Sequence, residues 1–201
     1  MVSVILLKNT FYNEVLRLAL SSLKTFVLYN KKPVIKNNIV ICDEEHFEGF
    51  VLDTEMLHKG KGVFVSLYKD KNLRGSASIL NSYNLTVAEE VIKASIASSC
   101  QDPDFDSVVE KELDDMEVCV DIVKEIYPYT SEMNRTTEPL DILGVRVTSG
   151  YRCGMTISDI TGTETLSCLI QKAYKRGDIS SGENPLIEVI KLERITGQFL
   201  Q

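Results

Sequence analysis

The sequence predicts an α+β fold of antiparallel β-sheets flanked by helices, and three observations carry that reading. Residues 63 to 78 hold a strand–turn–strand pattern, with β-branched and aromatic side chains ahead of a polar, turn-tolerant tetrapeptide. Met116, Val118, Val120 and Ile122 alternate with Glu117, Cys119 and Asp121, the pattern of a strand with one buried face, which favours an antiparallel sheet. Strands and helices follow one another without a regular βαβ alternation, and no internal repeat of fixed period is visible.

The elements follow in order. The apolar run Met1 to Leu7 is too short to span a bilayer and lacks a basic region before it and a small-residue cleavage site after it. It reads as an edge strand or a helix lead-in. From Thr10 or Asn9 as a cap, Phe11, Val15, Leu18, Ala19, Leu23, Phe26 and Val27 recur on one face of a helix that Pro33 ends or follows. Residues 31 to 61 are the least legible, with an apolar stripe at Ile39 to Ile41, the acids Asp43, Glu44 and Glu45, and the triplet Gly60-Lys61-Gly62. That triplet lacks the spacing, the following Ser or Thr and the preceding strand of a phosphate loop.

Val63-Phe64-Val65-Ser66-Leu67-Tyr68 then forms the first strand of a hairpin, Lys69-Asp70-Lys71-Asn72 its connection, and Leu73-Arg74-Gly75-Ser76-Ala77-Ser78 opens the second strand. Thr86 and Glu89 have capping-box spacing ahead of a helix bearing Ala88, Val91, Ile92, Ser95 and Ile96. A second box, Ser107 with Glu110, opens a short helix after the Asp102-Pro103 turn. The strand Met116 to Ile122 follows, then a surface loop over Tyr127 to Asp141. A hairpin pairs Val145 to Val147 with Tyr151 to Ile157 across Ser149-Gly150. A helix with Leu166, Leu169, Ile170, Ala173 and Tyr174 on one face ends at Gly177, and a last strand runs from about Leu186 to Glu193.

Composition bounds the function. The 201 residues suffice for one large domain or two small subdomains around a sizeable core, and 44% hydrophobic with 25% charged residues is an ordinary soluble balance. The net charge of −7 opposes nonspecific attraction to phosphate backbones and anionic membranes, so neither nucleic acid nor a membrane is the expected partner. Lys24, Lys31, Lys32 and Lys36, or Lys59, Lys61, Lys69, Lys71 and Arg74, form a local basic patch or else a solvated helix end and hairpin tip. Five widely spaced cysteines with no Cys-x-x-Cys pair suggest neither a zinc ribbon nor a disulfide framework, which fits free thiols in a reducing, cytoplasmic setting. Cys42 and His46 lie four apart, but no further ligands have matching spacing, so no metal or cofactor is expected.

Gly62 to Leu67 and Leu73 to Gly75 match, residue for residue, the signature of the AMMECR-one domain family, also called AmmeMemoRadiSam system protein A, which this chain resembles. The similarity continues at Asp102-Pro103-Asp104-Phe105, at Met116 to Asp121, at Leu143 to Arg152, at Ser158-Asp159-Ile160 and at Gln171-Lys172-Ala173. The resemblance implies residues 1–61 as an N-terminal helix and divergent segment packing on the domain, 62–195 as the domain, built of two unequal subdomains, and 196–201 as a tail. The departures fall at its centre. Ser76, Ala77 and Ser78 stand where the family has cysteine, isoleucine and glycine, and Cys153 to Ser158 replace its arginine, glycine and leucines before a proline.

The family has no settled biochemistry, so its site residues are weighed one by one. Arg74 offers a planar fork for a carboxylate or phosphate, or an ion pair with an internal acid such as Glu117 or Asp121. Gly75 allows a close backbone approach by a ligand, or marks a bulge. Ser76 is a poor substitute for a nucleophilic cysteine, because its hydroxyl is protonated at neutral pH without an adjacent base; it reads as a pocket donor or a plain strand residue. Asp102 caps a turn or binds a ligand group near Arg74, and Arg152 is a second anion contact or a solvated strand residue. A small anionic ligand in a cleft at Arg74, Gly75 and Ser76 is therefore expected. Three function classes stay open. The resemblance implies an enzyme component acting with Memo-type and radical SAM proteins on a nucleobase or small metabolite; loss of the central cysteine favours a noncatalytic ligand- or partner-binding module; acidity disfavours an RNA-binding accessory.

Overall fold

The computed structural model describes residues 2–42, 49–80, 83–135, 142–161 and 164–198, and the side chains of these other than 2–9, 134–135 and 181. The chain forms two compact units, Met1–Ile122 with Arg194–Gln201, and Val123–Glu193.

The first unit opens with helix α1, Val2–Tyr29, which buries Phe11, Val15, Leu18, Ala19 and Leu23 along one stripe. Neither Asn9 nor Thr10 caps it: the apolar run before them continues the same helix, since nothing in it breaks helical geometry. Asn30, at φ 52°, ends the helix and donates its N–H to the Phe26 carbonyl. Strands β1 (Val34–Lys36), β2 (Ile39–Ile41) and β3 (Phe50–Val51) make a three-stranded antiparallel sheet in the poorly legible region. His46 lies outside the described residues, so the Cys42–His46 spacing stays a sequence observation.

Strands β4 (Val63–Lys69), β5 (Asn72–Ile79) and β6 (Met116–Pro128) are antiparallel neighbours, and helix α2 (Val87–Cys100) packs on them. Thr86 and Glu89 close the expected capping box, with Glu89 N donating to Thr86 Oγ1 and Thr86 N to Glu89 Oε2. Gly62 N donates to Oε2 of the fully buried Glu90, so the glycine triplet before β4 cradles the chain's own carboxylate. One core joins α1, α2, β4 and β6 through Leu18, Leu23, Val91, Val65, Val118 and Val120.

Two expectations are corrected here. Cys119 and Asp121 on β6 are as buried as Val118 and Val120, so the strand has two buried faces. Alternation hid this because Asp121 is satisfied by a partner far along the chain: Arg194 Nε and Nη2 donate to its two oxygens at 2.8 and 2.9 Å. The short helix after α2 is a 3₁₀ turn, Glu110–Asp115, entered at Val109 rather than at Ser107, and Glu112 accepts the Val109 N–H at 3.0 Å.

In the second unit, β7 (Leu143–Ser149) pairs antiparallel with both β8 (Arg152–Ile157) and β9 (Leu186–Gln198), and helix α3 (Leu166–Arg176) covers them through Leu166, Leu169 and Ala173. The loop expected from Tyr127 begins later, because β6 runs on to Pro128 and a 3₁₀ turn, Ser131–Arg135, follows. Hydrogen-bonded neighbours run β5-β4-β6 around β4 and β9-β7-β8 around β7.

Candidate functional site

The β4–β5 hairpin turns on Asp70 and Lys71, both with positive φ, the geometry that joins two twisted strands across two residues. Register then slips by one. Leu67 faces Gly75 and Tyr68 faces Leu73, so Arg74 is the extra residue of a β-bulge with no partner on β4. Gly75 is buried, and a Cβ there would lie 2.3 Å from the Ser98 carbonyl oxygen. The close approach that this glycine permits is made by helix α2.

The bulge sends Arg74 toward the segment that follows α2. Its Nε and Nη2 donate to the two oxygens of Glu112 at 2.9 and 3.0 Å, its Nη1 to the Asp106 carbonyl at 2.8 Å, and its Nη2 to the Ser107 carbonyl at 3.4 Å. The ion pair is four-fifths or more buried at both ends, with side-chain exposures of 18% and 12%. The partner is Glu112, whereas the sequence pointed to Glu117 or Asp121. Arg74 holds the Glu112 carboxyl below the usual glutamate range, with the Val109 N–H assisting.

Strand β5 is an edge of the sheet, and Ser76 presents its amide outward. Both that amide and the Ser76 hydroxyl donate to Asp102 Oδ2, at 2.7 and 3.0 Å. Asp102 Oδ1 accepts the Asp104 N–H at 2.9 Å, so the aspartate caps its own turn as well. Asp102 and Arg74 thus strap residues 102–112 along the strand edge, which satisfies groups that would otherwise invite pairing. Across the sheet from Ser76 stand Ser66 and then Cys119 in register. Burial, followed by the Asp121 carboxylate, pushes the Cys119 thiol well above its ordinary value, so this fully buried sulfur is no nucleophile.

Arg152 belongs to the second unit. Its guanidinium donates to the Asp178 carbonyl and to Glu183 Oε2, while Glu183 also accepts from the Ser149 hydroxyl and the Ser180 N–H. The structure thus places Arg74, Gly75, Ser76 and Asp102 together on the β5 edge and Arg152 on the other hairpin. Among the described residues no group of three His, Cys, Asp or Glu side chains could hold a metal, and no helix is long and apolar enough to cross a membrane.

A family model described as AMMECR1 matches residues 17–194. The chain belongs to the AMMECR1 family. A Clostridium acetobutylicum protein, Protein CA_C1420, is 33% identical over 142 residues, which are 70% of this chain and 29% of that protein. A Thermotoga maritima protein is 36% identical over 115 residues, 56% of this chain and 63% of its own length. The chain therefore spans less than two thirds of either relative. The crystal structure of an uncharacterized protein, PH0010, from Pyrococcus horikoshii has the same fold, with a TM-score of 0.70 at 16% identity over 92% of this chain and 90% of that one. The AMMECR1 match reaches back into the second half of α1, ahead of the motif at Gly62.

Sequence reasoning missed Glu112, Glu183 and Arg194. A signal existed for the first two, since each stands three residues after the residue whose N–H it accepts, the spacing of a capping box. For Arg194 there was none, because its partner Asp121 lies 73 positions away.

Proposed function

We propose that this AMMECR1 chain binds a ligand or partner and does not itself catalyse a reaction. One observation carries the reading: Ser76, where the resemblance implies a cysteine, gives both its amide and its hydroxyl to a single oxygen of Asp102. A carboxylate is too weak a base to ionise a serine at neutral pH, so this pair holds the strand edge and activates nothing. The small anionic ligand expected from the sequence would have to displace Glu112 from Arg74 and pass the acids Asp102, Asp104 and Asp106. A group that brings hydrogen-bond donors meets no such cost, and that is the contact we propose for this edge. The small share of the Clostridium protein that the chain spans favours a domain that works beside others. The Memo-type and radical SAM proteins implied by the resemblance are the partners to try first.

Ser76→Cys tests the noncatalytic reading without a known substrate. Beside Asp102 the new thiol should have a raised pKa and alkylate more slowly at pH 7 than a free cysteine in an unfolded peptide. A thiol at position 76 that ionises below neutrality would show an activating site and return the chain to the enzyme class.

A further inference from the structure

Two stretches of the chain, with no shared motif to announce it, build the same unit. Each begins with a seven-residue strand, Val63–Lys69 or Leu143–Ser149, that pairs on one side with the next strand and on the other with the start of a 13-residue strand, Met116–Pro128 or Leu186–Gln198. Between them comes a helix capped by a threonine, Thr86 or Thr165, and then a 3₁₀ turn. The fifth residue of the opening strand, Leu67 or Val147, faces a glycine in both cases. Both glycines are required by the same approach. A Cβ on Gly75 would meet the Ser98 carbonyl of α2 at 2.3 Å, and one on Gly154 the Ala173 carbonyl of α3 at 1.9 Å. In each stretch the opening strand lies between the other two, β5-β4-β6 in one and β8-β7-β9 in the other.

The closest correspondence is in the polar contacts. Just ahead of each glycine an arginine leaves the second strand, Arg74 or Arg152, and its Nη1 donates to a main-chain carbonyl past the helix, Asp106 or Asp178. The same guanidinium pairs with a glutamate, Glu112 or Glu183, whose carboxylate also accepts the N–H three residues before it, Val109 at 3.0 Å or Ser180 at 2.7 Å. We propose that residues 63–128 and 143–198 are two copies of one hairpin–helix–strand unit, each closed by an arginine–glutamate clamp that fixes the return from helix to strand. The clamp accounts for both arginines. Arg152 serves the second copy as Arg74 serves the first, and each already pairs with a carboxylate of its own copy. The bulge at Arg74 is the first copy's own addition, since it sets the arginine beside its glycine where the second copy spaces the two by one residue.

The copies escape a search for a fixed period because their spacing drifts. The opening strands lie 80 residues apart, the threonine caps 79, the 3₁₀ entries Val109 and Ser180 71, and the closing strands 70.

Amide hydrogen exchange on the whole chain tests the clamps. Glu112→Ala should speed exchange at the Val109 amide about tenfold or more and leave Ser180 unchanged, and Glu183→Ala should do the reverse, as loss of a charge-assisted bond requires. Arg74→Ala and Arg152→Ala should reproduce each effect at smaller size. Should an alanine variant unfold, the Glu→Gln variants, which keep the side-chain volume, give the same comparison. An unchanged Ser180 amide in Glu183→Ala would overturn the equivalence. So would saturable movement of the Arg74 Nε–H resonance on titration with inorganic phosphate, because Glu112 already holds that N–H.

Discussion

Glu112 ties two parts of the chain together with one carboxylate, accepting from Arg74 in the β5 bulge and from Val109 at the entry of its own 3₁₀ turn. Because Arg74 lowers its pKa in the folded state, ionised Glu112 contributes stability in full above the ordinary glutamate value of about 4.3, and the contribution is lost as pH falls through the lower folded value. Glu112→Gln should therefore be less stable than the parent at pH 7, with the difference shrinking below about pH 4.5. Urea unfolding at a series of pH values reads this directly, and a difference independent of pH would mean that the charge contributes nothing. At this scale the sequence showed which residues matter more clearly than whom they meet. Arg74, Gly75, Ser76 and Asp102 stood out for their chemistry, but Glu112, Glu117 and Asp121 are near neighbours in sequence. Only the bulge, invisible in a one-dimensional pattern, selects among them.

Among elements, β6 shows why a correct strand can be read with the wrong environment. Alternation marked Val118 and Val120 as the buried set, and both are fully buried. The same alternation consigned Cys119 and Asp121 to solvent, because nothing local foretold that Arg194 would neutralise Asp121 from β9. Val120→Asp should destabilise the fold by about 3 kcal/mol or more, since it buries a charge without a partner. A thermal melt unmoved by that substitution would show that the strand does not lie in the core. The hairpins and the Thr86 cap were legible because their signals are local: turn residues, capping spacing and period-two alternation. The extension of α1 before Thr10 and the three small strands after it were not, because an apolar run and a short stripe fit either structure equally.

Across the molecule, the five cysteines are free thiols, graded in exposure from Cys153 at the surface to Cys119 fully buried. Alkylation of the native chain without reductant should label Cys153 first and Cys119 last, and five labels should be present once the chain is unfolded. A final count of three or one would reveal disulfides and contradict the free-thiol assignment. The fold class was legible at this scale, as was the family, through motifs that stay in order over most of the chain. Its division into two units was carried by the resemblance alone, and the proposed repeat within it matches at only a few separated residues, too few for a sequence pattern to show.

The central claim is that the Leu-Arg-Gly-Ser motif is held by internal partners, with Arg74 as a clamp. Equilibrium unfolding of Arg74→Lys tests it most directly. Lysine keeps the charge but cannot reach both Glu112 oxygens and the Asp106 carbonyl together, so the account predicts a lower denaturant midpoint with an unchanged slope, a loss of about 1–2 kcal/mol. A variant that unfolds at the parent's midpoint would contradict the clamp and leave Arg74 available to a ligand.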